Sequence, residues 1–154
     1  MVTSHYIANL EKVQIRATKL IKEIKYLSYM DRLKYLKLPT LKYRRVRGDM
    51  ILVYKLISGV YDSKIACKFN KPTNYVTRGH HFRLFKLHIR YELRKYFFGN
   101  RIVSIWNSLP DYVVDSNSIS IFENRLDHFW CNQACYYDYT ADIAGTGSRS
   151  LQSI

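Results

Sequence analysis

Apolar residues recur at intervals of three and four near the start of the chain, at Leu10, Val13, Ala17, Leu20, Ile21 and Ile24. That period predicts a helix over residues 5–25, with its apolar face toward a core and Lys12, Arg16 and Lys19 on another face. Ser28, with Asp31 three residues on, has the spacing of a shortened capping box and predicts a second, short helix. Leu33 and Leu36 are its expected buried positions, and Pro39 ends it. Thr40 is placed to cap a third helix running to about Ser58. Its positions Tyr43, Val46, Met50, Val53, Tyr54 and Ile57 form one apolar stripe, and Gly59 supplies a C-cap.

Residues 60–80 lose this order. Asp62, Ser63, Asn70, Pro72, Thr73, Asn74 and Gly79 interrupt any period and predict a loop. From Phe82 to Arg90 the alternation is imperfect and reads as an extended arm or one side of a β-hairpin, which needs a partner. Periodicity returns over residues 93–109, where Phe98, Ile102, Ile105 and Leu109 share a stripe that Trp106 widens, until Pro110 stops the helix. A fifth helix is expected over residues 118–130, capped by Ser118 or Ser120, with Ile119, Phe122, Leu126 and Phe129 inward. From Asn132 onward the apolar spacing disappears, and residues 144–154 are rich in Gly and Ser.

The expected fold is therefore mainly α: a small bundle of about five helices, an extended arm or β-hairpin near residues 75–92, and a disordered C-terminal tail. The expected organisation is a basic helical domain over residues 1–130, followed by a flexible tail over 131–154. Within that domain, 1–59 forms the N-terminal helices, 60–92 the loop and arm, and 93–130 the C-terminal helices. Trp106, Leu109, Phe122, Leu126, Phe129 and Trp130 are read as core, because their spacing suits two helices packed face to face.

Composition sharpens this picture in two ways. Hydrophobic residues make up 47% of the 154-residue chain, enough for a core. Net charge is +13, and it is unevenly spread. Residues 1–60 carry 13 Lys/Arg and 4 Asp/Glu, residues 61–101 carry 10 and 2, and residues 102–154 carry 2 and 6. A basic body thus ends in an acidic segment. Charge at this density repels itself unless a polyanion neutralises it, and nucleic acid fits that role better than an anionic membrane surface. The 14 Tyr, many beside Lys or Arg, suit amphipathic packing or stacking on bases. Three cysteines, Cys67, Cys131 and Cys135, make no disulfide framework and point to a reducing, intracellular setting, nuclear or cytoplasmic. No apolar run approaches the ~18 residues of a membrane span.

The chemistry of a catalyst is sparse. Polymerases hold two metal ions between closely placed carboxylates, yet no Asp-Asp pair occurs, and Asp31, Asp49, Asp62, Asp111, Asp115 and Asp127 are scattered singly. Gly145-Thr-Gly147 lacks the strand and helix that a phosphate-binding loop requires. Cys131 and Cys135 with His128 supply fewer than the four ligands of a closed zinc site and read as ordinary thiols at a frayed helix end. No Gly-x-Ser-x-Gly elbow is present. Neither a cofactor nor a catalytic residue is expected.

The strongest positive signal is a basic set in two segments. Arg44, Arg45 and Arg47, with Lys42, open the third helix. Arg78 sits in the loop beside Gly79, where its fork can grip a phosphate. Lys86, Arg90, Arg94, Lys95 and Arg101 recur every one to six residues through the arm and the fourth helix. Few local acids pair them, and Arg suits phosphate by its fork geometry. Positive charge at a helix N-terminus also opposes the macrodipole, so the Lys42–Arg47 cluster invites a polyanion or a partner. These nine residues, without Lys42, are the expected nucleic-acid contacts.

Four stretches carry a family likeness: Leu38-Pro-Thr-Leu-Lys-Tyr-Arg-Arg-Val-Arg-Gly-Asp49, Thr77-Arg-Gly-His80, Asn100-Arg-Ile-Val-Ser-Ile-Trp-Asn-Ser-Leu-Pro110 and Phe122-Glu-Asn-Arg-Leu-Asp-His-Phe-Trp130. In this order they resemble the extreme C-terminal region of reverse transcriptases from jockey-like non-LTR retrotransposons, over about Leu10 to Trp130. The resemblance implies a helical region beyond the polymerase palm that helps to hold template RNA or target DNA. It implies backbone contacts for Arg44, Arg45, Arg47, Arg78, Arg94 and Arg101, and no catalysis, since the palm has no counterpart here. The function so implied is a non-catalytic, basic, nucleic-acid-binding remnant of an RNA-directed DNA polymerase. The alternatives are a protein-interaction module that docks an acidic partner, or a decayed fragment without function.

Overall fold

A computed structural model describes residues 2–61, 80–85 and 97–145. Among them the chain is mainly helical, without strands. The helices are α1 (Val2–Lys19), α2 (Tyr29–Leu36), α3 (Leu41–Ile57), α4 (Phe98–Ser108), the short α5 (Asp111–Val114) and α6 (Ile119–Phe129), followed by a 3-10 turn at Ala134–Tyr136. The fold class expected from periodicity is the one observed. The chain separates into two compact units, Met1–Gly48 with Cys131–Ala144, and Asp49–Trp130 with Gly145–Ile154.

Capping residues were legible. Ser28 Oγ accepts from the Asp31 amide at 3.2 Å and donates to the Asp31 carboxylate at 2.5 Å, which starts α2. Lys37, at φ 52°, ends it in the left-handed region. The Leu38 amide then reaches back to the Leu33 carbonyl at 3.0 Å, closing a Schellman motif just before Pro39. Thr40 Oγ1 accepts from the Tyr43 amide at 3.1 Å, opening α3. Ser118, rather than Ser120, caps α6 through the Ile121 amide at 3.3 Å. Gly59, at φ +71°, sits one residue past the last turn of α3, a backbone conformation that glycine adopts without a Cβ clash.

The first unit departs from expectation at α1. Its apolar stripe was expected to face a core, but Leu10, Val13 and Leu20 are 56%, 66% and 82% exposed. The helix also ends at Lys19 rather than near residue 25, and Ile24 is buried outside it. Polar side chains point inward instead. Glu11 is fully buried, and it accepts from the Tyr29 hydroxyl at 2.5 Å and from the Leu41 amide at 3.2 and 3.1 Å. Thr18 Oγ1 accepts from Arg32 Nε at 3.1 Å, and the buried Arg32 also donates to the Leu27 carbonyl at 2.6 Å. Gln14 Nε2 donates to the Pro39 carbonyl at 3.0 Å. Periodicity identifies a helix and its stripe, but it does not say which face a neighbour will cover. Here the turn at Pro39–Leu41 and the α2 side chains offer hydrogen-bond partners, and a satisfied polar face can be buried.

The tail expected from residue 131 is not free at its start. Residues 131–144 fold back within the first unit. The Thr40 amide donates to the Tyr136 carbonyl at 2.8 Å, and the Thr40 hydroxyl to the Cys135 carbonyl at 2.6 Å. Tyr43 and Tyr136 place their ring centroids 4.7 Å apart, and Cys135 and Ile143 are buried. The segment has no helical or alternating period because its anchors are backbone carbonyls and single side chains. Residues 146–154, the rest of the expected tail, lie outside the described residues.

In the second unit the core gathers around Trp106, with Ile102, Val103, Leu109, Phe122 and Leu126 all buried. Tyr54 stacks on Phe122 with centroids 4.4 Å apart and donates its hydroxyl to the Ser116 carbonyl. The buried face of α4 is rotated slightly from the expected one, since Val103 is buried while Phe98 and Ile105 are half-buried. Phe129 is likewise only half-buried, and Trp130 takes the core position beside it.

Residues 80–85 turn at His81–Phe82 and then run irregularly, without the extended strand expected there, and side chains of α4 hold them. Asn107 clamps Leu84 by accepting from its amide and donating to its carbonyl, each at 2.9 Å. Trp106 Nε1 donates to the Phe82 carbonyl at 2.8 Å. An amide side chain thus offers the donor and acceptor pair that a neighbouring strand would supply. The rest of the expected arm, 75–79 and 86–92, is outside the described residues.

Candidate nucleic-acid interface

Basic side chains need something to position them and something to leave them unneutralised. Arg44 and Arg45 lie one turn into α3, and both are exposed. Their helix starts from a doubly built N-terminus, with Thr40 on the Tyr43 amide and the Glu11 carboxylate on the Leu41 amide. Glu11 answers the electrostatic objection to a basic helix start. A carboxylate at the first free amide is the favourable partner of the helix dipole, and it offsets the adjacent cations. The cluster is therefore locally tolerated without an external anion, contrary to what its position at a helix start suggests.

The remaining expected contacts divide into three groups. Arg47 is half-buried and already takes part in an interaction within the protein. Arg101 is committed inside the second unit, where its Nε and Nη2 meet the two oxygens of Asp49 at 3.0 and 2.9 Å. This fork-on-carboxylate pair leaves that guanidinium little capacity for phosphate. Its carbon also lies 5.4 Å from the Phe98 ring centroid. Arg78, Lys86, Arg90, Arg94 and Lys95 lie outside the described residues. His80, beside Arg78 in sequence, is buried, with Nε2 3.1 Å from the Trp106 carbonyl and its ring edge-on to that indole. It is a packing residue.

Two arginines outside the expected contact set are structural. Arg32 is buried beneath the Tyr29 ring, 5.6 Å from its centroid. Arg125 Nη1 donates to the Tyr112 and Asp115 carbonyls at 2.6 and 2.9 Å, tying α6 to the end of α5. Neither had a sequence signature, because most of their partners are backbone carbonyls, which carry no residue identity.

The first unit holds twelve Lys/Arg against five Asp/Glu. Four of those five acids are engaged within the unit. Glu11 is buried, Asp31 bonds its own cap, and Asp142 pairs with Lys42 at 2.7 Å. Asp138 accepts from the Thr140 hydroxyl and amide at 2.6 and 2.9 Å, and these bonds hold its carboxyl below the usual range. The Lys42–Asp142 pair is worth little by itself, since the Asp142 side chain is 95% exposed. With twelve cations against five acids, the unit keeps a surplus of positive charge.

One buried pair makes the same unit sensitive to alkali. Burial, and then Glu11 beside it, raise the Tyr29 phenol above the ordinary tyrosine range. A folded state that holds this proton more tightly than the unfolded chain is stabilised below the unfolded value, about pH 10, and loses that stabilisation as pH rises further. Urea unfolding at about pH 8 and about pH 10.5 is expected to show a steeper alkaline loss for the native chain than for Tyr29→Phe. Equal losses would mean that this phenol is not linked to folding.

Among the described residues, no group of three or more His, Cys, Asp or Glu side chains is placed to hold a metal ion. Cys131 is exposed and Cys135 buried, and burial raises the Cys135 thiol against the opposing pull of Lys42. No described helix is long and apolar enough to cross a membrane. No protein-family model matches the sequence, and neither a curated protein nor a solved structure does so.

Proposed function

We propose that this chain is a non-catalytic, basic nucleic-acid-binding remnant of a retrotransposon RNA-directed DNA polymerase, contacting the phosphate backbone of RNA or DNA inside the cell. The observation that carries this reading is the exposed Arg44–Arg45 pair on α3, in a unit where cations outnumber acids by twelve to five. The lineage rests on the four ordered motifs between Leu38 and Trp130. Arg44 and Arg45 lead the expected contact set, and Arg101 leaves it because Asp49 occupies its fork. Arg78, Lys86, Arg90, Arg94 and Lys95 remain assigned from sequence.

Binding of the purified chain to labelled single-stranded RNA and to duplex DNA across a salt series tests this. Affinity is expected to fall steeply with salt and to depend little on sequence, because phosphate contacts release counterions and carry no base information. Arg44→Glu/Arg45→Glu is expected to weaken binding by about tenfold or more and to reduce the salt slope by about 2. Its helical circular dichroism is expected to match that of the native chain. A native chain that binds neither probe at low salt sinks the proposal. An unchanged slope in the double variant removes α3 from the interface.

A further inference from the structure

Tyr6, Leu10, Val13 and Ala17 follow one another along α1 at spacings of four, three and four, and Leu20 continues the series just past its end. That alternation is the 3.5-residue period of a seam between two helices lying side by side. Yet Tyr6, Leu10, Val13 and Leu20 are each more than half exposed. From Tyr6 to Leu20 the seam is about 21 Å long at 1.5 Å per residue. A contiguous apolar strip of this kind on a soluble surface marks a contact face.

The seam cannot turn inward. The opposite side of α1 is fastened by Glu11 to Tyr29 and Leu41, by Gln14 to Pro39, and by Thr18 to Arg32. Rotating α1 to bury Leu10 and Val13 would strand those polar groups, each at a cost comparable to a lost hydrogen bond. The exposed seam is thus the consequence of a satisfied polar face behind it.

Charge selects the occupant. Helical geometry places Lys12, Arg16 and Lys19 along one border of the seam, and all three are exposed. No acidic residue lies on that border, since Glu11 belongs to the buried face. In an antiparallel pair of copies these cations would face each other, and in a parallel pair they would meet a border without an acid, so charge favours neither self-pairing. A bilayer surface takes a broad apolar face, whereas this strip is about one side chain wide. We infer that the outer face of α1 is a docking surface for an amphipathic helix of another protein, one whose apolar seam is bordered by Asp or Glu. The seam would take the apolar ridge, and Lys12, Arg16 and Lys19 would meet the acidic border and set register. This does not depend on the nucleic-acid reading, which rests on α3.

The test uses fluorescence anisotropy with the full chain and a labelled helical peptide of about 20 residues, long enough to span the seam. The peptide carries Leu at the seam positions and Glu on the borders. A second peptide has Lys on the borders, and a third has Ser in place of Leu. The Glu-bordered peptide is expected to bind at least about tenfold more tightly than either control. Leu10→Ser/Val13→Ser is expected to weaken that binding by about tenfold or more with an unchanged urea midpoint, because both side chains are already exposed. Lys12→Glu/Arg16→Glu is expected to shift preference toward the Lys-bordered peptide. Equal binding of the Glu- and Ser-seam peptides would reduce the effect to bulk charge and overturn the assignment. So would a dimer in sedimentation that Leu10→Ser/Val13→Ser dissolves, or seam-dependent binding to anionic vesicles that exceeds peptide binding. Absence of binding to the Glu-bordered peptide would also overturn it.

Discussion

Trp106→Ala is expected to remove roughly 3–5 kcal/mol from the second unit, the range for deleting a fully buried aromatic side chain. Three contacts are lost together. The indole fills the centre of the core at 0% exposure. It lies against Phe122 with centroids 6.0 Å apart and meets the His80 ring edge-on at 5.8 Å. Its Nε1 holds the Phe82 carbonyl, so the change also leaves an acceptor of the 80–85 segment without its donor. Trp106→Phe separates the two contributions. It retains much of the packing but not the N–H, and should cost about 1–2 kcal/mol. Urea unfolding followed by far-ultraviolet circular dichroism and by the fluorescence of the remaining Trp130 measures both variants. A loss under about 1 kcal/mol for the alanine variant would show that this core is loosely packed.

Glu11→Ala is the second large effect, expected at about 3 kcal/mol in the first unit. The carboxylate is fully buried and serves two donors from different elements, the Tyr29 hydroxyl of α2 and the Leu41 amide at the start of α3. Removing it strands both donors, opens a void, and withdraws the negative charge that offsets Lys42, Arg44 and Arg45 at the helix start. Glu11→Gln keeps one acceptor oxygen without the charge and should recover about half of the loss. Beyond the unfolding midpoint, the informative reading is amide hydrogen exchange at Leu41 and its neighbours. Exchange there is expected to accelerate more than in α6, which Glu11 does not touch. A destabilisation below about 1 kcal/mol, or uniform acceleration across the chain, would mean that Glu11 is a replaceable polar residue and not the N-terminal anchor of α3.

These two residues also mark how far the sequence could be read for fold and site. Trp106 was legible, because a large aromatic on a helical stripe that ends at Pro110 has few places to go but a core. Glu11 was not. A lone glutamate between Leu10 and Lys12 reads as a solvated helix position, and nothing local says that Tyr29 and Leu41 will come to meet it. Among the expected phosphate contacts, Arg44, Arg45 and Arg101 looked alike in sequence. Arg101 differs only because Asp49, fifty-two residues earlier, lies within reach of its fork.

What the sequence determined by itself was the local grammar. Ser28, Thr40 and Ser118 begin helices because their side-chain oxygens satisfy amides three residues on. Gly59 follows the end of one of them because glycine takes the left-handed backbone there without a Cβ clash. The stripe from Met50 to Tyr54 and the Phe122–Leu126 pair face a core because their spacing matches the helical period. Those are interactions of short range, and the chain carries them in its order of residues. Tertiary structure decided which face of α1 is covered, which cations are left unopposed, and that residues 131–144 return to Thr40 and Tyr43. Each of these turns on a partner distant in sequence, often a backbone carbonyl or amide that every residue possesses. A hydrogen bond to such a group leaves no mark in the pattern of side chains. Only the folded chain shows that Glu11 turns inward while Leu10 and Val13 turn out.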